Sequence, residues 1–369
     1  MSVILGLSNI CNLNCIYCPR ESINAKYQNG YIEEAVYNKA IKFCKETGIR
    51  NICLLSAGET TLHPDWMNKV RTLITQGFAV NIPSNFAKQF TWEEAEVLAQ
   101  CASLAVSIDT ADPEVLLRLR KGLKLSNIAY NMSLIRAAAA SLKVPCPPIT
   151  WVGVVSNISI ASNMKRFAHF AIGCKASGIN LIPLQMSAEL MESKDIDWIT
   201  RQSVDVLRKF IGDLGECEQI LLSSGLSFNV SPSLLEDVKN SILKRLGDPN
   251  TTREPEVLQL QGLNEVFSYA HTLKAIPGET RDCDTPWSTL MIPHTGEIIA
   301  CCYMENVIGH LDDGRSAQEI LNGKEAQELR TSLLEGNLRP VCTACPRGAI
   351  TSPAAFIQKI GARLNVRFN

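Results

Sequence analysis

The sequence predicts an α/β chain, a parallel sheet built from repeated strand–helix units and followed by a small cysteine-rich α+β unit. Three observations predict it. Short β-rich runs alternate with longer amphipathic or apolar helical patterns through the first half. Three closely spaced cysteines follow the first of those strands directly, and the last quarter carries hairpin signals with a second group of cysteines. Such alternation implies βαβ units with right-handed crossovers.

Strands are expected over residues 3–7, 51–55, 78–83, 104–108, 149–155 and 179–184. Helices are expected between them over 33–46, 64–76, 92–100, 126–142 and 163–177, where apolar residues recur at helical spacing or run continuously. In such sheets ligands collect at the carboxyl ends of the strands, which is where the first cysteine group falls. Further along, 196–214 and 234–246 read as helices and 226–230 as a strand. The polar stretch 248–254 marks a turn or linker. We therefore divide the chain into a barrel core with extra helices (1–247), a bridging segment (248–282) and a tail unit (283–369). The tail carries a hairpin signal: a strand over 289–292, a turn at His294-Thr295-Gly296 and a return strand over 297–301.

Composition bounds the rest. Hydrophobic residues make up 46% of the 369 positions, enough for a packed core and against a disordered chain. With 36 basic and 37 acidic side chains the net charge is −1, which gives no support for a nucleic-acid binder with a basic stripe. No apolar run reaches membrane-spanning length, and the start of the chain lacks a secretory signal. The expected compartment is a reducing cytoplasm, where clustered cysteines hold metal more often than they pair.

The 14 cysteines are the unusual quantity. Cys11-Asn-Leu-Asn-Cys15-Ile-Tyr-Cys18 is a C-x3-C-x2-C run. Three thiolates in one tight loop suit three irons of a cubane cluster and leave the fourth iron open. A structural zinc would want a fourth ligand close by, and the nearest histidine is His63. In the tail, Cys283, Cys301, Cys342 and Cys345 offer four thiolates from a hairpin and a C-x2-C turn. By spacing alone, an iron–sulfur cluster and a four-cysteine zinc ribbon both fit this second set.

The first run resembles the motif of the radical S-adenosylmethionine (SAM) enzymes, and the fold it implies is a partial (β/α)6 radical SAM barrel. The resemblance implies an open iron that chelates SAM, reductive cleavage of SAM to methionine and a 5′-deoxyadenosyl radical, and removal of a substrate hydrogen atom. Ser56-Ala57-Gly58-Glu59 resembles the family's Gly-Gly-Glu motif, which implies that Gly58 and Glu59 receive the SAM ammonium; Ala57 departs from that pattern. Ser84-Asn85 resembles the stretch beside the SAM ribose, with Phe86 in place of a glycine. Ser107 and, at the family's spacing, Arg120 are implied to hold the SAM carboxylate, a task suited to a guanidinium fork. Tyr17, beside Cys18, reads either as a contact to the adenine or as a core aromatic.

The tail, from Cys283-Asp-Thr-Pro-Trp287 through Gly296 to Cys301, then Ile308-Gly309-His310-Leu311 and Cys342–Pro346, is similar to the SPASM/twitch extension of these enzymes. The similarity implies one auxiliary [4Fe-4S] cluster that accepts or donates electrons, since no cysteine follows Cys345. Cys301 is preferred to Cys302 as ligand because it ends a G-x4-C unit. Of the other cysteines (Cys44, Cys53, Cys101, Cys146, Cys174, Cys217 and Cys302), most sit in apolar patterns and read as packing residues. Cys217, in the polar stretch Gly215-Glu216-Cys217-Glu218, is the candidate for an active-site thiol. Met186, Glu189 and Glu192 are candidates for contacting substrate, whereas His63 and His294 read as structural.

The expected activity is therefore that of a radical SAM oxidoreductase or maturase. Two substrate classes fit: a ribosomally made precursor peptide, preferred because the roughly 100 residues between 184 and Cys283 could line a groove, and a sugar or aminocyclitol to be dehydrogenated or epimerised in natural-product or polysaccharide biosynthesis. A non-catalytic iron–sulfur or zinc protein is the alternative outside enzymes. Cys11 lies so near the start that a peptide substrate would need a separate recognition protein. An external donor of the flavodoxin or ferredoxin type is expected to supply electrons; no nucleic-acid or membrane partner is expected.

Overall fold

The computed structural model describes residues 1–18, 20, 29–184, 196–247, 274–301, 306–343, 345 and 348–364. Met186, Glu189, Glu192, Cys302 and the polar turn 248–254 lie outside the described residues. Ten strands form one sheet: β1 (Ser2–Leu5), β2 (Asn51–Cys53), β3 (Ala79–Ser84), β4 (Ser103–Ser107), β5 (Ile149–Val155), β6 (Gly178–Pro183), β7 (Ser227–Val230), β8 (Thr289–Ile292), β9 (Glu297–Ile299) and β10 (Val307–His310). Their order across the sheet is β10-β9-β8-β1-β2-β3-β4-β5-β6-β7. All neighbours from β8 through β7 run parallel, and only the β8–β9 and β9–β10 pairs are antiparallel.

The strands form where β-branched and aliphatic side chains cluster, and alternate positions along them are buried: Val3 and Leu5 on β1, Val80 and Ile82 on β3, Leu104 and Val106 on β4. Each such side chain contributes about 1.5–3 kcal/mol of transfer free energy. The intervening helices start where the sequence supplies caps. Thr91 and Glu94 form a reciprocal capping box for Trp92–Leu98, and Asp112 caps Pro113–Leu119 with proline in its first turn. Among the described residues no helix is long and apolar enough to cross a membrane.

Two features depart from the sequence expectation. The tail hairpin does not stand apart from the sheet: β8 pairs parallel with β1, Ser2 opposite Thr289 and Leu5 opposite Ile292. The helix expected over 196–214 begins instead at Val204 and runs to Ser223, after a single 3₁₀ turn at Ile199–Arg201. Trp198 holds the chain out of the helix: its indole donates to the Leu184 carbonyl (3.2 Å), and its ring is buried with Leu119, Ile158, Leu184 and Ile196. Ser203 then caps the helix, accepting from the Val206 amide.

Two short ladders matter for the site. Asn14–Cys15 pairs antiparallel with Arg120–Lys121, placing Cys15 opposite Arg120. Thr280–Arg281 pairs with Ile350–Thr351. Each ladder lies in or beside a cysteine-bearing segment.

Candidate functional site

Cys11, Cys15 and Cys18 lie in the loop that leaves the carboxyl end of β1. The turn after β2 is fastened to that loop. The Glu59 amide donates to the Ile10 carbonyl (2.8 Å), and the Ser56 hydroxyl donates to the Ser8 carbonyl. Gly58 is required by this approach, since a Cβ there would sit 2.5 Å from the carbonyl oxygens of both Ser8 and Ile10. Gly58→Ala is therefore expected to push the cysteine loop aside. The expected cost is about 1–3 kcal/mol in folding stability, read as a lower Tm, with less iron taken up on reconstitution.

Glu59 is buried, and its carboxylate is well supplied with donors. One oxygen accepts from the Thr61 amide (3.1 Å) and hydroxyl (2.8 Å), the other from the Asn85 amide (2.8 Å). A carboxylate offers about four acceptor positions, so one remains for a cationic ligand. Asn85 in turn reaches the first cysteine: its Nδ2 donates to Asn12 Oδ1 (2.9 Å) and lies 3.7 Å from Cys11 Sγ. Ser84 is buried beside it, and its hydroxyl accepts from the Phe86 amide. Phe86 sits at φ +52°, in the left-handed region that favours glycine. Its ring is fully buried and meets Phe90 edge-on, and its carbonyl accepts from Asn131. Core packing thus offsets the strain of a large side chain at a turn that suits glycine.

At the ends of β4 and β5 the structure brings together residues that are distant in sequence. Asp109, two residues beyond β4, takes Arg120 Nε and Nη2 on its two oxygens (2.9 Å each), the Tyr17 hydroxyl (2.6 Å) and the Val154 amide (2.9 Å). Ser107 is half-buried at the end of β4. The Tyr17 hydroxyl donates to Asp109, and its ring packs with Leu119, Ile158 and Leu184. Burial works against the Arg120 charge, but the charge and hydrogen bonds of Asp109, with Tyr17 and Cys15 beside it, together outweigh it and keep the guanidinium protonated.

Burial raises the Cys11 thiol, and it pushes Cys15 up to about 12 against the pull of Arg120. Bound iron would reverse that balance, because a coordinating thiol gives up its proton. Three soft donors in one loop, beside a buried carboxylate and a buried guanidinium, fit a three-cysteine cluster that carries an amino-acid ligand.

The second group is assembled by the tail. Cys283, Cys301, Cys342 and Cys345 line one pocket, whose other walls include Ala300, Leu329, Leu333 and Val341. Among the described residues no three Cys, His, Asp or Glu side chains stand close enough to grip a single metal ion. The fit to a cluster rests on this largely apolar, four-thiol pocket. Two residues that the sequence did not single out complete it. Arg281, buried, donates to the carbonyls of Cys342 (3.3 Å), Thr343 (2.7 Å) and Gly348 (3.0 Å), clamping the C-x2-C turn. Asn306 donates to Cys342 and accepts from Arg339 (2.9 Å). Burial still leaves the Cys342 thiol up at about 11.

Cys217 requires a correction. It lies not in a polar loop but on the helix Val204–Ser223, fully buried in the core, with its thiol pushed up to about 12 by burial. The signal was present in the sequence: Leu207, Phe210, Leu214, Cys217 and Leu221 recur at intervals of three and four and are the buried face of that helix. A buried, protonated thiol there packs the core.

Comparison with known proteins bears on both groups. Residues 5–144 match the radical SAM superfamily, and residues 283–346 match an iron–sulfur cluster-binding domain, SPASM. Streptococcus suis SuiB bound to precursor peptide SuiA is similar in structure, with a TM-score of 0.58 and 13% identity over 89% of this chain and 66% of that one. The native anSMEcpe structure with bound AdoMet and Cp18Cys peptide gives a TM-score of 0.57 and 13% identity, covering 95% of this chain and 89% of that one. At these identities the likeness is one of fold. A probable GTP 3′,8-cyclase of Methanothermobacter thermautotrophicus is 30% identical over 115 residues, which is 31% of this chain. That match spans only 37% of the curated relative's length.

Proposed function

Because the chain is a radical SAM enzyme with a C-terminal SPASM domain, using SAM and [4Fe-4S] clusters, we propose that it abstracts a hydrogen atom from a ribosomally made precursor peptide. When bound, the cluster–SAM pair supplies reductive cleavage of SAM and the carbon radical that takes the hydrogen. The chain's own residues position that pair. Cys11, Cys15 and Cys18 hold the cluster, Gly58 and Glu59 receive the SAM ammonium, Arg120 and Ser107 its carboxylate, and Ser84 and Asn85 lie beside its ribose. Cys283, Cys301, Cys342 and Cys345 hold one auxiliary cluster that carries electrons. The catalytic barrel occupies residues 1–247 and the auxiliary unit 283–369.

One observation carries the SAM-site reading: the three-cysteine loop, buried Glu59 and buried Arg120 converge at the carboxyl ends of β1, β2 and β4. Support for a peptide substrate comes from two solved structures of like fold, SuiB bound to precursor peptide SuiA and anSMEcpe bound to the Cp18Cys peptide. A separate recognition protein would present the peptide, and an external low-potential donor would supply electrons.

The test is anaerobic reconstitution followed by reduction in the presence of SAM. About eight irons per chain and formation of 5′-deoxyadenosine are expected, with a mass change in a precursor peptide encoded nearby. Zinc alone, or no 5′-deoxyadenosine, overturns the radical reading. Cleavage of SAM with no change in any such peptide overturns the substrate class.

A further inference from the structure

Asp109 carries more of the site than its place in the sequence suggests. Its side chain is fully buried, and its two oxygens accept four hydrogen bonds from three separate parts of the chain. One donor is the Val154 amide on β5, one is the hydroxyl of Tyr17 beside Cys18, and two come from Arg120. Arg120 is also the backbone partner of Cys15, and its guanidinium stacks over the Tyr17 ring at 5.4 Å.

The pairing uses only one edge of the guanidinium. Nε and one N–H of Nη2 are taken by Asp109. The group has five N–H donors in a planar fork, so among the described residues Nη1 and the second Nη2 proton are left for another bidentate acceptor. A guanidinium anchored along its Nε edge has lost its rotational freedom and can meet a carboxylate without ordering itself first.

We infer that Asp109 is the positioning residue of the SAM site: it fixes Arg120 by one edge, leaves the other for the SAM carboxylate, and through Tyr17 ties that anchor to the cysteine loop. The inference rests on Arg120 being the carboxylate anchor, and its test separates the two. SAM affinity of the reconstituted protein is measured from the change in the electron paramagnetic resonance signal of the reduced cluster as SAM is added. Asp109→Asn, Arg120→Ala and the double variant are compared, with iron content and Tm followed in parallel. Loss of an outer-shell partner typically weakens such a site 10–100-fold, and a loss of that order is expected for Asp109→Asn with iron content retained. The double variant should bind SAM no more weakly than Arg120→Ala alone, because Asp109 acts through Arg120.

If the losses of the two single variants multiply in the double variant, or if Arg120→Ala weakens SAM while Asp109→Asn does not, Asp109 is not a positioning residue. If neither single variant affects SAM, the reading of Arg120 itself fails. Asp109→Glu covers the case in which the asparagine variant does not fold. It keeps the buried charge pair but moves the guanidinium, so weakened SAM binding is expected despite a retained fold. Full SAM affinity in Asp109→Glu would mean that the pair is only structural.

Discussion

Replacing Cys15 with alanine is expected to abolish SAM cleavage. Cys15 combines two roles: its thiol is one of three donors in the loop after β1, and its backbone pairs with Arg120. The backbone pairing survives the substitution, so the loop should keep its path and only the donor is lost. With two thiolates remaining, the cluster has two uncovered irons and should not persist. 5′-Deoxyadenosine formation should fall by more than the roughly 100-fold seen when a mere outer-shell partner is removed. About four irons per chain should remain, held in the tail. The measurements are iron content and chromatographic quantification of 5′-deoxyadenosine. Near-normal SAM cleavage in Cys15→Ala would remove the three-cysteine loop from the mechanism.

The second large effect concerns the tail pocket and should have the opposite signature. Cys342→Ala is expected to lose about four irons and turnover of substrate, yet to retain at least part of the SAM cleavage. Arg281→Met sharpens the reason. It leaves all four cysteines in place but removes a guanidinium that holds three carbonyls of the segment bearing the C-x2-C turn. The Gly348 carbonyl loses its donor in a buried place, at a cost of about 1–3 kcal/mol. The turn should loosen, and auxiliary iron should be taken up poorly while the first cluster forms normally. Were Cys342→Ala to abolish SAM cleavage while Cys15→Ala spared it, the two cysteine groups would have to exchange roles.

Much of the fold was legible because its signals are local. The alternation of β-rich and helical runs gave all six strands of the first half to within a few residues, and 226–230 contains β7. The irregular turn at Trp198 was not legible, since it depends on an indole meeting the Leu184 carbonyl from fourteen residues away. Cys217 was misread for a different reason. The polar neighbours Glu216 and Glu218 suggested a loop, while the three–four spacing of apolar residues on either side recorded the helix.

In the site, the cysteines stood out by residue type and spacing, and Gly58, Glu59 and Arg120 by their resemblance to family motifs. Asp109, Arg281 and Asn306 did not. An aspartate at a strand end has no signature until its partners are known, and here they arrive from the cysteine loop, from β5 and from beyond a helix. Arg281 likewise looks like an ordinary surface charge, yet it is 3% exposed.

The sequence by itself determined the cysteine groups whose members are close along the chain, together with the βα rhythm that places the first group at a strand end. Connectivity alone keeps Cys11, Cys15 and Cys18 within one loop, and side-chain period alone distinguishes strand from helix. Only the tertiary structure decided that β8 pairs with β1 across 287 positions, that Asp109 gathers Arg120 and Tyr17, and that Cys283 and Cys301 meet Cys342 and Cys345 in one pocket. Contacts of that separation must overcome loop-closure entropy through the combined burial of many side chains. No short stretch of sequence carries their signal, because the free energy that selects them belongs to the whole core.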